Sequence, residues 1–478
     1  MSAPSQLFID GTWRPASDGE VIEIIDPATE EVVGSVPRAT SDDVEEATQA
    51  AAKGFATWRE TDPWSRTQKL RAVADWIGEH KEEIAAVLTE EQGKTLGEAL
   101  GEVTVAGQYF DWYADEARRQ YGRLIPTTTN GAHLYTLRQP IGPVAAFTPW
   151  NFPIVLAARK VAAALAAGCS VILKPAEEAP RSALYLARAC EQVGLPAGVF
   201  NVITGDPEAI STQLLATDTI RKASFTGSVP VGQQLLRQAA EGVKEVSLEL
   251  GGHAPFLVFE DADLDPTIEA CVQGKFRNGG QVCIAPSRLF VAAPMYEAFT
   301  DRFSERVGRL KVGDGRDPST DVGPLANLRR LEGVESLVEN AVDRGATLRK
   351  GGGRPDGLDR GLYFEPTVLS EVTDDMRLMT EEPFGPVVPV VSFEDIDEVI
   401  ARANRSDYGL AGYVFTRDLR TAHRAAEALE VGMVGVNTLG LARPEAPFGG
   451  VKHSGLGREG GIEGIEAYTV TKYVNMAL

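Results

Sequence analysis

Residues 144–174 read VAAFTPWNFPIVLAARKVAAALAAGCSVILK. The apolar run Val144–Phe147 is followed by a turn, an Ala- and Leu-rich stretch over about 154–167, a glycine, and a second apolar run, Val171–Leu173. Runs this short and this apolar suit strands buried on both faces, and the stretch between them suits a helix. The alternation continues. Val199–Ile203, Ala223–Phe225 and Val243–Leu248 read as further strands, with helical segments near 179–193, 207–216 and 231–240. Strand–helix–strand repetition predicts right-handed crossovers and a parallel sheet covered by helices on both faces. Ligands bind such sheets at the carboxyl ends of the strands.

On the amino-terminal side, Leu7–Ile9 and Val21–Ile25 read as strands, with a turn at Asp10-Gly11. Val44, Ala47, Ala51, Phe55 and Trp58 fall on one helical face, and Thr40 with Asp43 resembles a capping box. Helical pattern runs on to about residue 120. On the carboxyl side, Asp261 to about 435 repeats the α/β texture and predicts a second α/β domain. Residues 121–140 and 463–478 both read as extended, with Leu134–Leu137 and Tyr468–Val474 alternating. Paired, they would form a small sheet able to join subunits.

The chain has 478 residues, which at about 150 per domain allows three domains. It is 43% hydrophobic and 24% charged, which argues against disorder. Its charge, 47 − 68 = −21, makes nucleic-acid backbones and anionic membranes poor partners. Four cysteines, none in C-x-x-C pairs, make no disulfide framework and suit a reducing cytoplasm. The opening MSAPSQLFIDG lacks the basic and apolar regions of a signal peptide. The apolar stretch from Ile154 to Leu173 is interrupted by Arg159 and Lys160 and is not read as a membrane span. No metal site is expected.

One G-x-G-x-x-G occurs, at Gly455, Gly457 and Gly460. No apolar strand precedes it and no acidic ribose partner follows within a βαβ unit, so it reads as a structural loop rather than a dinucleotide fingerprint. The chemistry lies elsewhere. Cys283 ends RNGGQVC, where two glycines allow close approach and the polar surroundings suit an accessible thiolate. Cys169, Cys190 and Cys271 sit among Ala, Val and Leu and read as core. Glu249 in SLELGG ends a strand, where a general base is well placed; the alternative is a solvated strand-end glutamate. Asn151 in PWNFP offers an amide to an oxyanion or a helix N-cap. Lys174 and Glu177 in KPAE suit ribose hydroxyls. Gly227-Ser228 in FTGS opens a helix and suits a pyrophosphate. Glu382 and Phe384 sit in EEPFGP, a Pro-rigid turn.

In order and spacing, PWNFP, KPAE, FTGS, LELGG, GQVC, EEPFGP and the late PFGGVK and SGLGRE resemble the aldehyde dehydrogenase superfamily over essentially the whole chain. The resemblance implies an α/β fold in three parts. These are a Rossmann-like cofactor-binding domain (1–120 and 141–250), an α/β catalytic domain (251–440) and a small β oligomerisation flap (121–140 and 463–478). It implies a homodimer or homotetramer. It also implies an NAD(P)-dependent oxidation of an aldehyde to an acid, through a thioester on Cys283, with Asn151 at the oxyanion and Glu249 as the base for hydrolysis. A glutamate there favours hydrolysis over acyl transfer to coenzyme A. The cofactor residues implied are Thr148, Pro149, Trp150, Lys174, Glu177, Gly227, Ser228, Leu250, Glu382 and Phe384. A carboxylate at Glu177 predicts NAD in preference to NADP.

Arg159, eight after Asn151, and Arg277, six before Cys283, resemble the positions that clamp the far carboxylate in succinate-semialdehyde dehydrogenases. The alternative for Arg159 is a surface helix arginine, like its neighbour Lys160. Two departures stand out. Ala285 replaces a second cysteine often found there, so no disulfide switch is expected. Arg443 lies in a loop that often carries a serine; as a third cation it would favour a longer or more oxidised acid semialdehyde such as glutarate or 2-oxoglutarate semialdehyde, and the alternative is that it faces solvent or pairs with Glu445. A neutral aldehyde is a further alternative substrate. Two other classes compete: a thiol hydrolase or acyltransferase with no redox step, drawing on a histidine such as His253, and a non-catalytic protein on the same fold.

Overall fold

The computed structural model describes residues 3–477; Met1, Ser2 and Leu478, the outermost positions of the expected cofactor domain and flap, lie outside the described residues. The apolar runs become five adjacent parallel strands. Their spatial order is Phe200–Val202, Val171–Lys174, Val144–Phe147, Lys222–Thr226 and Glu245–Glu249. In chain order that is third, second, first, fourth, fifth. The connections therefore reverse direction between Val144–Phe147 and Lys222–Thr226, and a crevice opens there at the carboxyl ends.

Both faces of this sheet are covered, which is why its strands read as unbroken apolar runs. Val144, Ala146, Val171 and Leu173 point into the core shared with helices Pro153–Ala167 and Arg181–Gln192. Ala145, Phe147, Ile172 and Ala223 point the other way, against helices Ser41–Trp58 and Pro207–Ala216. Thr40 and Asp43 form the capping box expected at the start of Ser41–Trp58. Helix Pro153–Ala167 is buried along its entire length. A helix buried all round belongs to the core, so any charge it carries must be paired inside the protein.

Two antiparallel edges complete an eight-stranded sheet. At one, Leu7–Ile9 pairs with Phe200–Val202 and, through a hairpin, with Thr12–Arg14. The hairpin turns on Asp10 (φ 50) and Gly11 (φ 77), as a two-residue loop of this kind requires. At the other edge, Gly455–Leu456 pairs with Leu248 and Glu249. The G-x-G-x-x-G run is therefore an edge of the sheet, and at Gly455 (φ +141) a β-carbon would strike the Leu248 carbonyl. The expected strand Val243–Leu248 starts later, at Glu245, because Val243 (φ 49) sits in an exposed turn.

A seven-stranded sheet takes the order Thr347–Lys350, Thr367–Ser370, Val387–Phe393, Pro286–Ala292, Ala254–Val258, Ala411–Phe415, Met433–Val436. All its pairs are parallel except the first. Separately, Thr469–Ala477 pairs antiparallel with Ala132–Pro140 over nine residues, and Leu124–Ile125 adds a third strand. Among the described residues no helix is long and apolar enough to cross a membrane.

Candidate active site

A cavity of about 760 Å³ fills the crevice and runs on toward the seven-stranded sheet. Thr148, Pro149, Trp150, Asn151, Arg159, Lys174, Glu177, Gly227, Ser228, Leu250, Arg277, Cys283, Glu382 and Phe384 all border it. Glu249, the last residue of its strand, is not among the lining residues.

Cys283 follows a left-handed run, Asn278 (φ 51), Gly279 (φ 61) and Gly280 (φ 72). At Gly280 a β-carbon would enter the Gly385 backbone, so the glycine lets the cysteine loop seat against the 382–386 turn. Cys283 is half-buried and borders the cavity. Burial, with the negative charges of Glu382 and Glu249, pushes its thiol up to about 12, while Arg159 and Arg277 pull the other way. The resting group is thus a thiol rather than a preformed thiolate. The other three cysteines are buried, as expected.

Glu249 is 2% exposed, and neither of its carboxylate oxygens has a hydrogen-bond partner among the described residues. It is not a solvated strand end. Burial, reinforced by the charge of Glu459, holds it well above the usual carboxylate range, against the pull of Lys160, Arg159 and Arg458. A carboxyl held in this state keeps a proton more readily than a solvated one, which strengthens it as a base once it is ionised.

Asn151 is 4% exposed, and its Nδ2 donates to the Gln281 carbonyl at 3.0 Å. It does not cap the following helix: Phe152 holds the N-cap position, because Pro153 starts the helix one residue later than a cap at Asn151 requires.

Arg159 is 4% exposed and not on the surface. Its guanidinium lies between the rings of Tyr109 (4.9 Å) and Phe448 (4.3 Å). It has one ion contact, Nη1 to Glu459 Oε2 at 3.6 Å, and among the described residues Nε and Nη1 have no hydrogen-bond partner. Burial opposes its charge, but the Tyr109 hydroxyl, Glu459 and Glu249 more than offset that, so it stays a cation. Lys160 is buried too, against expectation, because Glu459 pairs with it inside the protein. Glu459 escapes a reading of the sequence: it stands in the SGLGRE motif, and its position beyond both α/β halves gives no sign that it returns to this site. Arg277 is exposed at the cavity mouth, 5.5 Å from the Phe152 ring. Arg443 does not border the cavity. It is exposed, donates to the Gly440 carbonyl and pairs with Glu445 at 3.8 Å, which corrects its expected place as a third substrate cation.

The crevice fits a dinucleotide. Thr148 Oγ1 and Thr226 Oγ1 are buried there with no partner among the described residues. Helix Val229–Glu241 opens at Ser228 with no side-chain cap on its first amides, an arrangement that receives phosphate. Close packing on the Phe225 ring leaves no room for a side chain at Gly227. Lys174 and Glu177 pair at 2.7 Å. Glu382 accepts from the Gly252 amide at 2.9 Å and is raised to about 7 by burial, and Phe384 meets Trp150 edge-on at 5.5 Å. His253 is turned away, bonded to Ser287 Oγ at 2.7 Å, and does not border the cavity, which removes the partner a thiol hydrolase would need.

Comparison with known proteins agrees with this geometry. A glutarate-semialdehyde dehydrogenase of Pseudomonas aeruginosa is 43% identical over 98% of this chain and 97% of its own length. A protein named succinate-semialdehyde dehydrogenase, NADP(+), of Escherichia coli is 43% identical over 99% of this chain and 98% of its own. The crystal structure of succinate-semialdehyde dehydrogenase from Burkholderia pseudomallei superposes with a TM-score of 0.98 at 44% identity, covering 100% of this chain and 98% of that one. The model of the aldehyde dehydrogenase family matches residues 13–474, and the chain belongs to that family as an NAD(P)-dependent aldehyde dehydrogenase.

Proposed function

We propose that the protein oxidises an aldehyde with an anionic far end, succinate or glutarate semialdehyde, to the dicarboxylic acid. The observation that carries this is Arg159: a buried guanidinium at the cavity wall, with N–H groups that lack hydrogen-bond partners among the described residues. A cation held that way is costly unless its occupant is an anion. Arg277 at the mouth adds a second positive charge. With Arg443 turned away, a single terminal carboxylate is enough to fill the clamp.

The steps follow from the side chains. The Cys283 thiol proton passes to solvent, and the thiolate, favoured by the Arg159 and Arg277 charges, attacks the aldehyde carbon. The Asn151 amide and the Cys283 backbone N–H receive the developing oxyanion. A bound nicotinamide dinucleotide supplies the acceptor for the hydride that leaves this carbon. A thioester remains on Cys283, and Glu249 then takes a proton from the water that hydrolyses it. The Thr148 and Thr226 hydroxyls, Lys174, Gly227, Ser228, Leu250 and Glu382 hold the dinucleotide, with Pro149, Trp150 and Phe384 as its apolar walls. Glu177 supports NAD over NADP, since a carboxylate accepts from a ribose 2′-hydroxyl and repels a 2′-phosphate.

The same reading includes a homo-oligomer joined through the small sheet, whose paired strands expose Leu137, Val470, Tyr473 and Met476. It includes a cytoplasmic setting, supported by four unbridged cysteines. The test is kcat/KM across three- to six-carbon acid semialdehydes and neutral aldehydes of equal length, with each dinucleotide. Acid semialdehydes of four or five carbons with NAD are expected to lead. Neutral aldehydes in front would refute the substrate class, and equal use of NADP would refute the role of Glu177.

A further inference from the structure

Helix Pro153–Ala167 starts directly after Asn151, and Phe152 at its N-cap has no oxygen to offer its first amides. A carboxylate from another helix takes that place. Glu102, on Leu96–Glu116, accepts from Ile154 N at 3.1 Å and Val155 N at 3.2 Å through one oxygen. Its second oxygen holds Lys94 Nζ at 2.5 Å. The same amine donates to the Asn151 carbonyl at 2.7 Å and lies 4.0 Å over the Phe152 ring. Asn278 Nδ2 reaches that carbonyl as well, at 2.9 Å. The Lys94 and Glu102 side chains are 0% and 1% exposed.

A buried ion pair is weak evidence for stability, since apolar residues of similar volume often serve as well. Apolar residues cannot, however, fix the 151 carbonyl and the two helix amides at once. Among the described residues, every side-chain hydrogen bond that this pair makes to a third residue falls within four residues of Asn151. Glu102 borders the cavity, but each of its oxygens is already engaged by the fold.

We propose, resting on the oxyanion role given to Asn151 above, that Lys94 and Glu102 are positioning residues that fix the 151 peptide and so aim the Asn151 amide at the substrate oxygen. They act through Asn151 and touch neither the aldehyde nor the dinucleotide. The device links the start of the long helix Leu96–Glu116 to the reacting centre, and it makes the oxyanion donor independent of substrate for its orientation.

The experiment is a double-mutant cycle on the full-length enzyme, with kcat, both KM values and the melting temperature measured. Removing the oxyanion donor by Asn151→Ala is expected to lower kcat by roughly 10²–10³-fold. Glu102→Ala is expected to lower kcat by about 10- to 100-fold, with both KM values within about twofold, as a misplaced donor does. Glu102→Gln, which keeps an acceptor for the helix amides, should retain more activity than Glu102→Ala, and it carries the cycle if the alanine variant does not fold. Combined with Asn151→Ala, either substitution should add no further loss. Losses that multiply in full overturn the positioning role alone, as does a rise in aldehyde KM at unchanged kcat. An Asn151→Ala variant with normal kcat overturns the oxyanion role itself.

Discussion

Arg159→Leu tests the substrate reading most directly. Among the described residues the guanidinium has one loose ion contact, with Glu459, and N–H groups with no hydrogen-bond partner. A substrate carboxylate that takes up these groups gains one or two charge-assisted hydrogen bonds, worth about 2–4 kcal/mol together once competition from Glu459 is allowed for. Loss of that term corresponds to roughly 30- to 700-fold in kcat/KM for succinate semialdehyde. A leucine keeps apolar contact with the Tyr109 and Phe448 rings and Lys160 still pairs with Glu459, so folding is expected to survive. A second effect must be separated. Arg159 is a cation that holds down both Cys283 and Glu249, and without it both groups rise further, which slows every aldehyde. The informative quantity is therefore a ratio. Wild type and variant are compared on succinate semialdehyde and on butanal, which matches it in carbon count and lacks the charge. The ratio of the two kcat/KM values should fall by about the factor given above. Equal losses on both aldehydes would show that Arg159 only tunes the nucleophile and base, and the anion clamp would be abandoned.

Glu249→Gln should lower steady-state kcat by about 10²-fold or more while a hydroxylamine-sensitive thioester builds up on Cys283; fast turnover without it would remove Glu249 as the base. Lys275 gives a stability test. It is fully buried, its Nζ has no partner among the described residues, and burial lowers its pKa from 10.5 to about 7, against the pull of Cys271 and Glu382. Between those values the unfolded chain binds the extra proton, so this residue makes stability rise with pH across that window. Lys275→Met removes the penalty: the melting temperature should increase most at or below about pH 7, and the gain should fade toward pH 10.5. A gain of constant size at all pH values would contradict the burial of a charged amine.

The sequence made the first sheet legible because parallel strands buried on both faces cannot alternate, and their apolar runs stand out against the helices between them. Cys283, Asn151 and Glu382 were legible because turns beside a reacting centre need glycine and proline at fixed places. What stayed hidden was long-range pairing. Lys160 looks like a surface charge when read locally, and only its partner, about 300 positions later, lets it go inside. Lys94 looks like an ordinary loop lysine and Glu102 like a helix-surface glutamate, since their purpose depends on a carbonyl and amides some 50 residues away. Arg443 failed in the opposite sense: its neighbour Glu445 and the Gly440 carbonyl satisfy it locally, leaving no reason to turn inward.

The edge strand Gly455–Leu456 and the glutamate after it reach the first sheet from beyond every strand of the seven-stranded sheet in chain order. Without that glutamate, Arg159 and Lys160 are two cations on a helix destined for the core, lacking their counter-charge. Leaving a buried charge without its partner costs about 3–5 kcal/mol. The nascent chain can therefore build most of both sheets and still not close the active centre. A chain cut before Glu459 is expected to keep its nucleophile and its cofactor crevice but to lack the carboxylate that lets the catalytic helix settle. Such chains should be recognisable by an intact cysteine that alkylates readily and a first sheet that protease opens.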